Sequence, residues 1–231
     1  MIVHGLQKLT LLDYPGKVAC TLFTGNCNFS CPFCQNSGLV LHPQEENVIA
    51  DEDLWAFLDR RKGILDGVCV SGGEPTLQTD LADFLYRLKE MGYLVKIDSN
   101  GQKPDVLKKL VGEQLVDYIA MDVKNCKERY GETVGISGFS VDKVSESIAF
   151  LLEGNVDYEF RTTVCRELHS RENLRELVEW IAPCRRYYLQ QYKESDNVIR
   201  PGFTAYSDDE MKEIADELRE KLACVTLRGI D

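Results

Sequence analysis

The sequence predicts an α/β fold, an open partial (β/α)6 barrel whose sheet is mainly parallel. Short β-rich runs that end in Gly, Asn or Asp alternate with amphipathic stretches, which is the pattern of repeated βα units. Six such units are visible in the 231 residues, and six are too few to close an eight-unit barrel. Functional residues of parallel barrels lie at the carboxyl ends of the strands, so we expect an active face there.

The elements follow one another in order along the chain. The first strand is predicted at 18–24, and a helix follows at 51–61, where Leu54, Phe57 and Leu58 fall on one face. The later strands are predicted at 67–71, 94–98, 116–122, 158–164 and 187–191, with a terminal run at 224–227. The helices between them are predicted at 79–91, 104–111, 141–153, 171–181 and 208–222.

Composition predicts a single domain over residues 1–231, with a variable C-terminal segment at about 193–231, in a soluble cytoplasmic protein. The chain is 44% hydrophobic, which is enough for one core. Neither a secretory signal nor an 18-residue apolar stretch is present. Nine cysteines without an export signal indicate a reducing compartment. The formal net charge of −11 disfavours binding to nucleic acid or to anionic membranes.

Three cysteines, Cys27, Cys31 and Cys34, form the most informative motif in the chain. Thiolates are the ligands that iron–sulfur clusters select, and three protein ligands leave one metal position open to a small molecule. Pro32 favours extended backbone at Cys31, so we predict an irregular cluster loop at 25–36. From spacing alone, a zinc knuckle or unrelated buried thiols remain alternatives, although no His follows at the spacing usual for zinc.

Further candidate residues come directly after the predicted strands. Gly72, Gly73 and Glu74 follow the strand at 67–71, and paired glycines let a ligand approach the backbone closely. Taken alone, this Gly-Gly-Glu-Pro stretch is equally consistent with an ordinary turn. The strand-end positions that we expect to converge on one rim are Cys27, Gly72, Ser99, Lys124, Cys165 and Lys193.

Together, the cysteine motif with Phe33 before its last cysteine, and the Gly-Gly-Glu-Pro stretch, resemble the radical S-adenosylmethionine (SAM) superfamily. Within it, the chain resembles the glycyl-radical-enzyme activases. Asp-Tyr-Pro-Gly at 13–16 is similar to their Asp-Gly-Pro-Gly segment, and Asp-Ser-Asn-Gly at 98–101 to their Asp-Thr-Asn-Gly element. The runs at 6–17, 161–164 and 188–192 are similar to anaerobic ribonucleoside-triphosphate reductase activating proteins.

This resemblance implies a radical SAM type of barrel and a definite chemistry. Cys27, Cys31 and Cys34 would hold a [4Fe-4S] cluster, and SAM would chelate its fourth iron. An electron from reduced flavodoxin or ferredoxin would cleave SAM to methionine and a 5′-deoxyadenosyl radical. That radical would take a hydrogen from a glycine of a partner glycyl radical enzyme, and anaerobic ribonucleotide reductase is the partner expected.

The resemblance also implies roles around SAM. Phe33 would shield the cluster or contact adenine, and Gly72, Gly73 and Glu74 would hold the methionine amino end. Activases of the pyruvate formate-lyase type carry a SAM-contacting His near the sixth strand. This chain has Lys193 there, and the role of that His is not transferred to it.

Five charged or hydroxyl residues complete the implied site. Asp98, Ser99 and Asp122 resemble residues that contact SAM or a nearby monovalent cation. Lys124 and Arg161 are expected at the methionine carboxylate or at substrate and ribose groups. The alternatives are that the two aspartates cap a turn or helix, and that the two basic residues form ordinary ion pairs.

Two other functions remain open from the sequence. A radical SAM enzyme that acts on a small molecule would use the same motifs, although this chain has little insert with which to enclose a small substrate. A non-catalytic iron–sulfur or zinc protein would explain the cysteines but not the SAM-like elements. The roles of Cys126 and Cys165, which follow two predicted strands, are left open.

Overall fold

The computed structural model describes residues 1–230 and contains one eight-stranded sheet. The strands are β1 Val3–Thr10, β2 Ala19–Thr24, β3 Gly67–Gly72, β4 Leu94–Ser99, β5 Tyr118–Asp122, β6 Asp157–Val164, β7 Tyr187–Gln191 and β8 Val225–Arg228. They lie across the sheet in chain order. β1 is antiparallel to β2, and every later neighbouring pair is parallel. The predicted open, mainly parallel α/β fold is confirmed.

Helices fill most of the connections between the parallel strands. They are α1 Ser37–Leu41, α2 Asp51–Arg61, α3 Leu81–Glu90, α4 Pro104–Gly112, α5 Tyr130–Thr133, α6 Asp142–Leu152, α7 Arg171–Ile181 and α8 Asp208–Arg219. All six predicted helices are present, with ends that move by at most three residues. The two that were not predicted, α1 and α5, have only five and four residues, too few to show a helical period.

The sequence pattern missed one strand and underestimated another. No element is predicted before residue 18, yet β1 forms an edge strand against β2. Two irregularities in the β1–β2 register break the alternation of apolar and polar residues by which a strand is recognised. The predicted terminal run at 224–227 is a full strand, because β8 pairs with β7 and completes the sheet.

The two faces of the sheet have different chemistry. On β4, Val95 and Ile97 belong to the main apolar core that includes the helices. The residues between them in the alternation, Lys96 and Asp98, therefore face the other way. We call that side the inner face. The alternation thus places polar side chains on the inner face close to the carboxyl ends of the parallel strands.

The predicted C-terminal segment, 193–231, contains α8 and β8 and extends one residue beyond the described part of the chain. Because β8 pairs with β7, this segment contributes to the same sheet as the other elements. Within residues 1–230, no helix has both the length and the apolar character needed to cross a membrane.

Candidate active site

A cavity of about 210 Å³ lies at the carboxyl ends of β3 to β6 and is bordered by the cluster loop. Every site residue predicted from the sequence lines it: Cys27, Cys31, Phe33, Cys34, Gly72, Gly73, Glu74, Asp98, Ser99, Asp122, Lys124 and Arg161. Two expected members of the rim are absent from this lining. Cys165 is fully buried, and Lys193 lines a neighbouring cavity with Gln35 and Thr163.

The cluster loop, residues 25–36, has irregular backbone as predicted. Two hydrogen bonds fasten the start of the loop to the residues that follow β3: the Gly73 N–H donates at 2.8 Å to the carbonyl of Thr24, which directly precedes the loop, and the Glu74 N–H donates to the Asn26 carbonyl at 2.8 Å. Asn26 has a φ of 68°, a left-handed conformation that asparagine tolerates better than most residues. The Asn36 amide donates to the Gly72 carbonyl at 2.9 Å and fastens the other end of the loop.

The glycine pair serves the contact between the cluster loop and β3. A Cβ on Gly73 would lie 1.9 Å from the Asn26 carbonyl oxygen. A Cβ on Gly72 would lie 2.4 Å from the backbone N and O of Thr24, and its φ of +113° also disfavours a side chain. The sequence interpretation, in which these glycines admit a ligand, is therefore incomplete. They also admit the backbone of the loop that carries the cysteines.

The three cysteine thiols are free and line the same cavity. Burial raises the pKa of Cys27 to about 11 and that of Cys31 to about 12, while the nearby Lys124 ammonium acts to lower both. Within residues 1–230, no three Cys, His, Asp or Glu side chains are grouped as ligands of a single metal ion. The three thiols suit a multi-iron cluster, in which each thiolate would bind a different iron, and a bound metal would keep these ligands deprotonated.

Glu74 connects the ends of β3 and β4. Its carboxylate is almost completely buried and accepts hydrogen bonds from the Thr76 N–H at 3.1 Å and the Thr76 hydroxyl at 2.5 Å. It also accepts from the Ser99 hydroxyl at 2.9 Å and from the Asn100 N–H at 2.6 Å. Burial raises the pKa of Glu74, and these donors act to lower it. Glu74 and Ser99 thus hold each other in place as well as lining the cavity.

Asp98 and Asp122 are bridged by a single guanidinium at the floor of the site. Arg161 donates from Nη1 to Asp98 Oδ2 at 3.3 Å and from Nε to Asp122 Oδ1 at 2.9 Å. Lys124 Nζ donates to the other oxygen of Asp122 at 3.1 Å. The Lys96 ammonium pairs with the other oxygen of Asp98. Each of the four carboxylate oxygens therefore has a basic partner, and a monovalent cation at these oxygens stays a prediction.

This partly buried network fixes the ionisation of its two aspartates. Burial alone would raise the pKa of both aspartates, but Arg161 and Lys96 hold the pKa of Asp98 well below its usual range. Arg161 and Lys124 likewise lower the pKa of Asp122. Three cations and two anions leave one net positive charge. A ligand carboxylate that enters the cavity would balance it.

Several residues that support the site were missed at the sequence level. Asn100 donates to Asn28 Oδ1 at 2.8 Å and lies 3.9 Å from Cys27 Sγ. It stands inside the Asp-Ser-Asn-Gly motif, which was the available signal. Lys96 is fully buried, and a lysine in the middle of an apolar strand was its signal. His169 Nε2 lies 2.7 Å from the Lys124 carbonyl, and its ring meets Phe33 edge-on at 6.3 Å.

Comparison with known proteins adds independent findings. The family model described as the radical SAM superfamily matches residues 21–182. The chain is 33% identical over 227 residues to "Putative glycyl-radical enzyme activating enzyme MJ1227" of Methanocaldococcus jannaschii, covering 95% of this chain and 89% of that protein. It is 31% identical over 137 residues to the pyruvate formate-lyase-activating enzyme of Listeria monocytogenes, which covers 53% of this chain and only 52% of that enzyme.

A solved structure gives the same fold. Streptococcus suis SuiB bound to S-adenosylmethionine aligns with a TM-score of 0.70 at 17% identity, over 90% of this chain and 52% of that one. At this identity, the likeness concerns the fold alone.

Proposed function

Since the chain belongs to the radical SAM superfamily, whose members use a [4Fe-4S] cluster and SAM, we propose that it installs a glycyl radical in a partner enzyme. We propose further that this partner is an anaerobic ribonucleotide reductase and that reduced flavodoxin or ferredoxin supplies the electron. The observation that carries the proposal is one cavity that is lined both by three free thiols and by a partly buried, net positive network of ion pairs. The cavity thus provides thiolates for a cluster and positive charge for the carboxylate of an amino acid bound to that cluster.

In this proposal, Cys27, Cys31 and Cys34 hold the cluster. When bound, the reduced cluster and SAM supply a one-electron cleavage that yields a radical able to abstract hydrogen. The protein fixes the geometry through the cluster loop, because the glycine pair of β3 lets that loop come within hydrogen-bonding distance. Phe33 would exclude water from the same cavity, since the residue is only 5% exposed and its ring packs edge-on against His169.

The charged floor would orient SAM. Lys124 and Arg161 present positive charge to the methionine carboxylate. Asp98 stays ionised at neutral pH because its pKa is held low, and an ionised carboxylate attracts the methionine ammonium. Gly72 and Glu74 would complete the site for the methionine amino group. Gly72 would act through its main chain, and Glu74 is held in place by the hydrogen bond from the Asn100 N–H at the end of β4. These residue roles are part of the proposal.

The setting of the enzyme follows from the same chemistry. We propose that residues 1–231 act as one radical SAM domain, which the single sheet of residues 1–230 supports. Nine free cysteines support a reducing, cytoplasmic location. A glycyl radical reacts with oxygen, so the activity is expected under anaerobic conditions.

One anaerobic assay tests this function. The reconstituted protein is reduced in the presence of SAM, and 5′-deoxyadenosine is measured with and without the candidate reductase, while EPR follows the glycyl-radical doublet. The expected result is cleavage together with a doublet that requires the reductase, and the loss of both in Cys31→Ala. Cleavage without a doublet in the reductase would favour the small-molecule enzyme instead. If SAM is not cleaved under any of these conditions, both the activase hypothesis and the small-molecule hypothesis are refuted.

A further inference from the structure

Residues 193–206 connect β7 to α8 without any helix or strand, and they run along the cluster loop. We call this segment the strap. It carries no motif, and its irregular backbone gave no pattern in the sequence. Its contacts, however, are concentrated on the residues that surround the third cysteine.

Four hydrogen bonds join the strap to the cluster loop and to the residue that follows it. The Arg200 N–H donates to the Pro32 carbonyl at 2.8 Å, and the Ile199 N–H donates to the Cys34 carbonyl at 3.1 Å. The remaining two bonds run from the loop to the strap: the Gln35 amide donates to the Lys193 carbonyl at 2.5 Å, and the Ser37 N–H donates to the Asn197 carbonyl at 3.2 Å.

The far end of the strap is itself anchored. Thr204 donates to the Glu167 carboxylate from its N–H at 2.9 Å and from its hydroxyl at 2.5 Å. The Tyr206 hydroxyl donates to the His169 carbonyl at 2.8 Å. Phe203 packs edge-on against Phe33 with ring centroids 6.5 Å apart. The segment is therefore tied at one end to the turn after β6 and along its length to the cluster loop.

The loop depends on such outside contacts because it has little structure of its own. Between Cys27 and Cys34, the loop makes two internal hydrogen bonds: the Cys34 N–H donates to the Cys31 carbonyl at 3.0 Å, and the Phe29 N–H donates to Cys27 Sγ at 3.4 Å. The middle of the loop is held by the Ser30 N–H, which donates to the Val134 carbonyl at 3.0 Å. Within the loop, only the bond from the Cys34 N–H holds the backbone between Pro32 and Cys34, which is the part that the strap contacts.

We propose that the strap is a positioning element that fixes Cys34 in the conformation that binds the cluster. It does so through the hydrogen bonds that the N–H groups of Ile199 and Arg200 donate, which we call the grips. This inference rests on the proposed cluster site. Ordering a flexible loop costs conformational entropy, and a loop that is already ordered holds its ligand more tightly. Loss of a grip is expected to speed the release of iron without unfolding the protein.

Proline substitutions remove one N–H each and so test the grips directly. In Ile199→Pro and Arg200→Pro, the cluster is expected to be lost to EDTA about 2- to 10-fold faster than in the wild type, the range for one hydrogen bond. Cluster loss is followed anaerobically by absorbance, together with iron and sulfide per chain. The melting temperature of the cluster-free protein reports whether each variant still folds.

Asp196→Pro is the matched control. Asp196 is exposed in the same segment and occupies the second position of a turn in which the Val198 N–H donates to the Ser195 carbonyl at 3.3 Å. Proline is favoured at that position, and the cluster should be lost at the wild-type rate. Equal rates of loss in the wild type, the control and both grip variants would overturn the proposal.

Hydrogen exchange in the unmodified protein keeps the test independent of whether the proline variants fold. The amides of Ile199 and Arg200 are expected to exchange at least about tenfold more slowly when the cluster is bound. Equal exchange with and without the cluster would contradict the proposal. A wild-type protein that assembles no cluster would instead refute the proposed function, so the two failures are distinguishable.

Discussion

Replacing Gly73 by alanine tests whether the cluster loop needs its close approach to β3. The added Cβ would lie 1.9 Å from the Asn26 carbonyl oxygen and 2.7 Å from the Asn26 carbonyl carbon. Real contacts of this kind stay beyond 3.0 Å, so the loop and strand must separate by about 1.1 Å. Both obstructing atoms are backbone, and no flexible side chain can yield in their place.

The cost follows from that separation. Forced overpacking costs about 1–3 kcal/mol, and the shift also weakens the bond from the Glu74 N–H to the Asn26 carbonyl, worth about 1 kcal/mol. A loss of about 2–4 kcal/mol lowers the melting temperature of a protein of this size by about 5–15 °C. Because Asn26 immediately precedes Cys27, reconstitution should also give less iron per chain than in the wild type.

Gly112→Ala is the matched control for this experiment. A Cβ on Gly112 meets nothing within 4 Å, and Gly112, like Gly73, has no left-handed φ. Its melting temperature should stay the same or rise slightly, because alanine reduces the entropy of the unfolded chain. Thermal melts of the cluster-free proteins, followed by iron analysis after reconstitution, decide the matter. If Gly73→Ala has the same melting temperature as Gly112→Ala and binds as much iron per chain as the wild type, the close approach is not needed.

Two further predictions concern the charged floor. Lys96→Met removes the buried ammonium that pairs with Asp98 and should lower the free energy of unfolding by about 3 kcal/mol. The melting temperature should then be about 6–12 °C lower. Lys108→Met, on the surface, is the control and should leave the melting temperature nearly unchanged. The second concerns acid. The folded-state pKa of Asp98 lies below its unfolded value, so its contribution is present above about pH 4 and is lost as the pH falls towards the folded pKa. The free energy of unfolding, measured with urea between about pH 3 and 6, should therefore decrease less steeply with falling pH in Asp98→Asn than in the wild type. A wild-type slope in that variant would show that Asp98 is not held ionised.

The sequence was a good guide to the strands, the helices and the residues at the strand ends. These features have short periods or follow directly from where a strand stops, so local patterns are sufficient. β1 was missed because register irregularities disturb its alternation. The contacts between the strap and the cluster loop were missed because irregular backbone has no period from which its position can be predicted. Lys96 was missed because its burial depends on the neighbouring strands β3 and β5, which only the folded sheet brings to it.

The role of the glycine pair was only partly predicted, and the reason is physical. A sequence shows that a glycine leaves space, but it does not show what fills that space. Here the backbone of Asn26 comes against Gly73, and that contact was visible only once the loop and β3 were placed side by side. A motif can therefore be matched correctly while part of its structural role is still unseen.

The chemistry of the inner face changes along the strands, and this gradient explains how the floor keeps its charge. Tyr14, Ala19, Cys69 and Tyr118 pack together as a small apolar cluster near the amino ends of the strands. Lys96 is fully buried and lies level with this cluster, paired in register with Cys69 of β3 and Tyr118 of β5, while Asp98 lies two residues nearer the carboxyl end. Ion pairs that are largely shielded from water are screened less than surface pairs, so they hold Asp98 and Arg161 in one orientation. A rigid, already charged floor requires little reorganisation when a charged ligand arrives, and this pre-organisation is what radical chemistry on a bound amino acid would need.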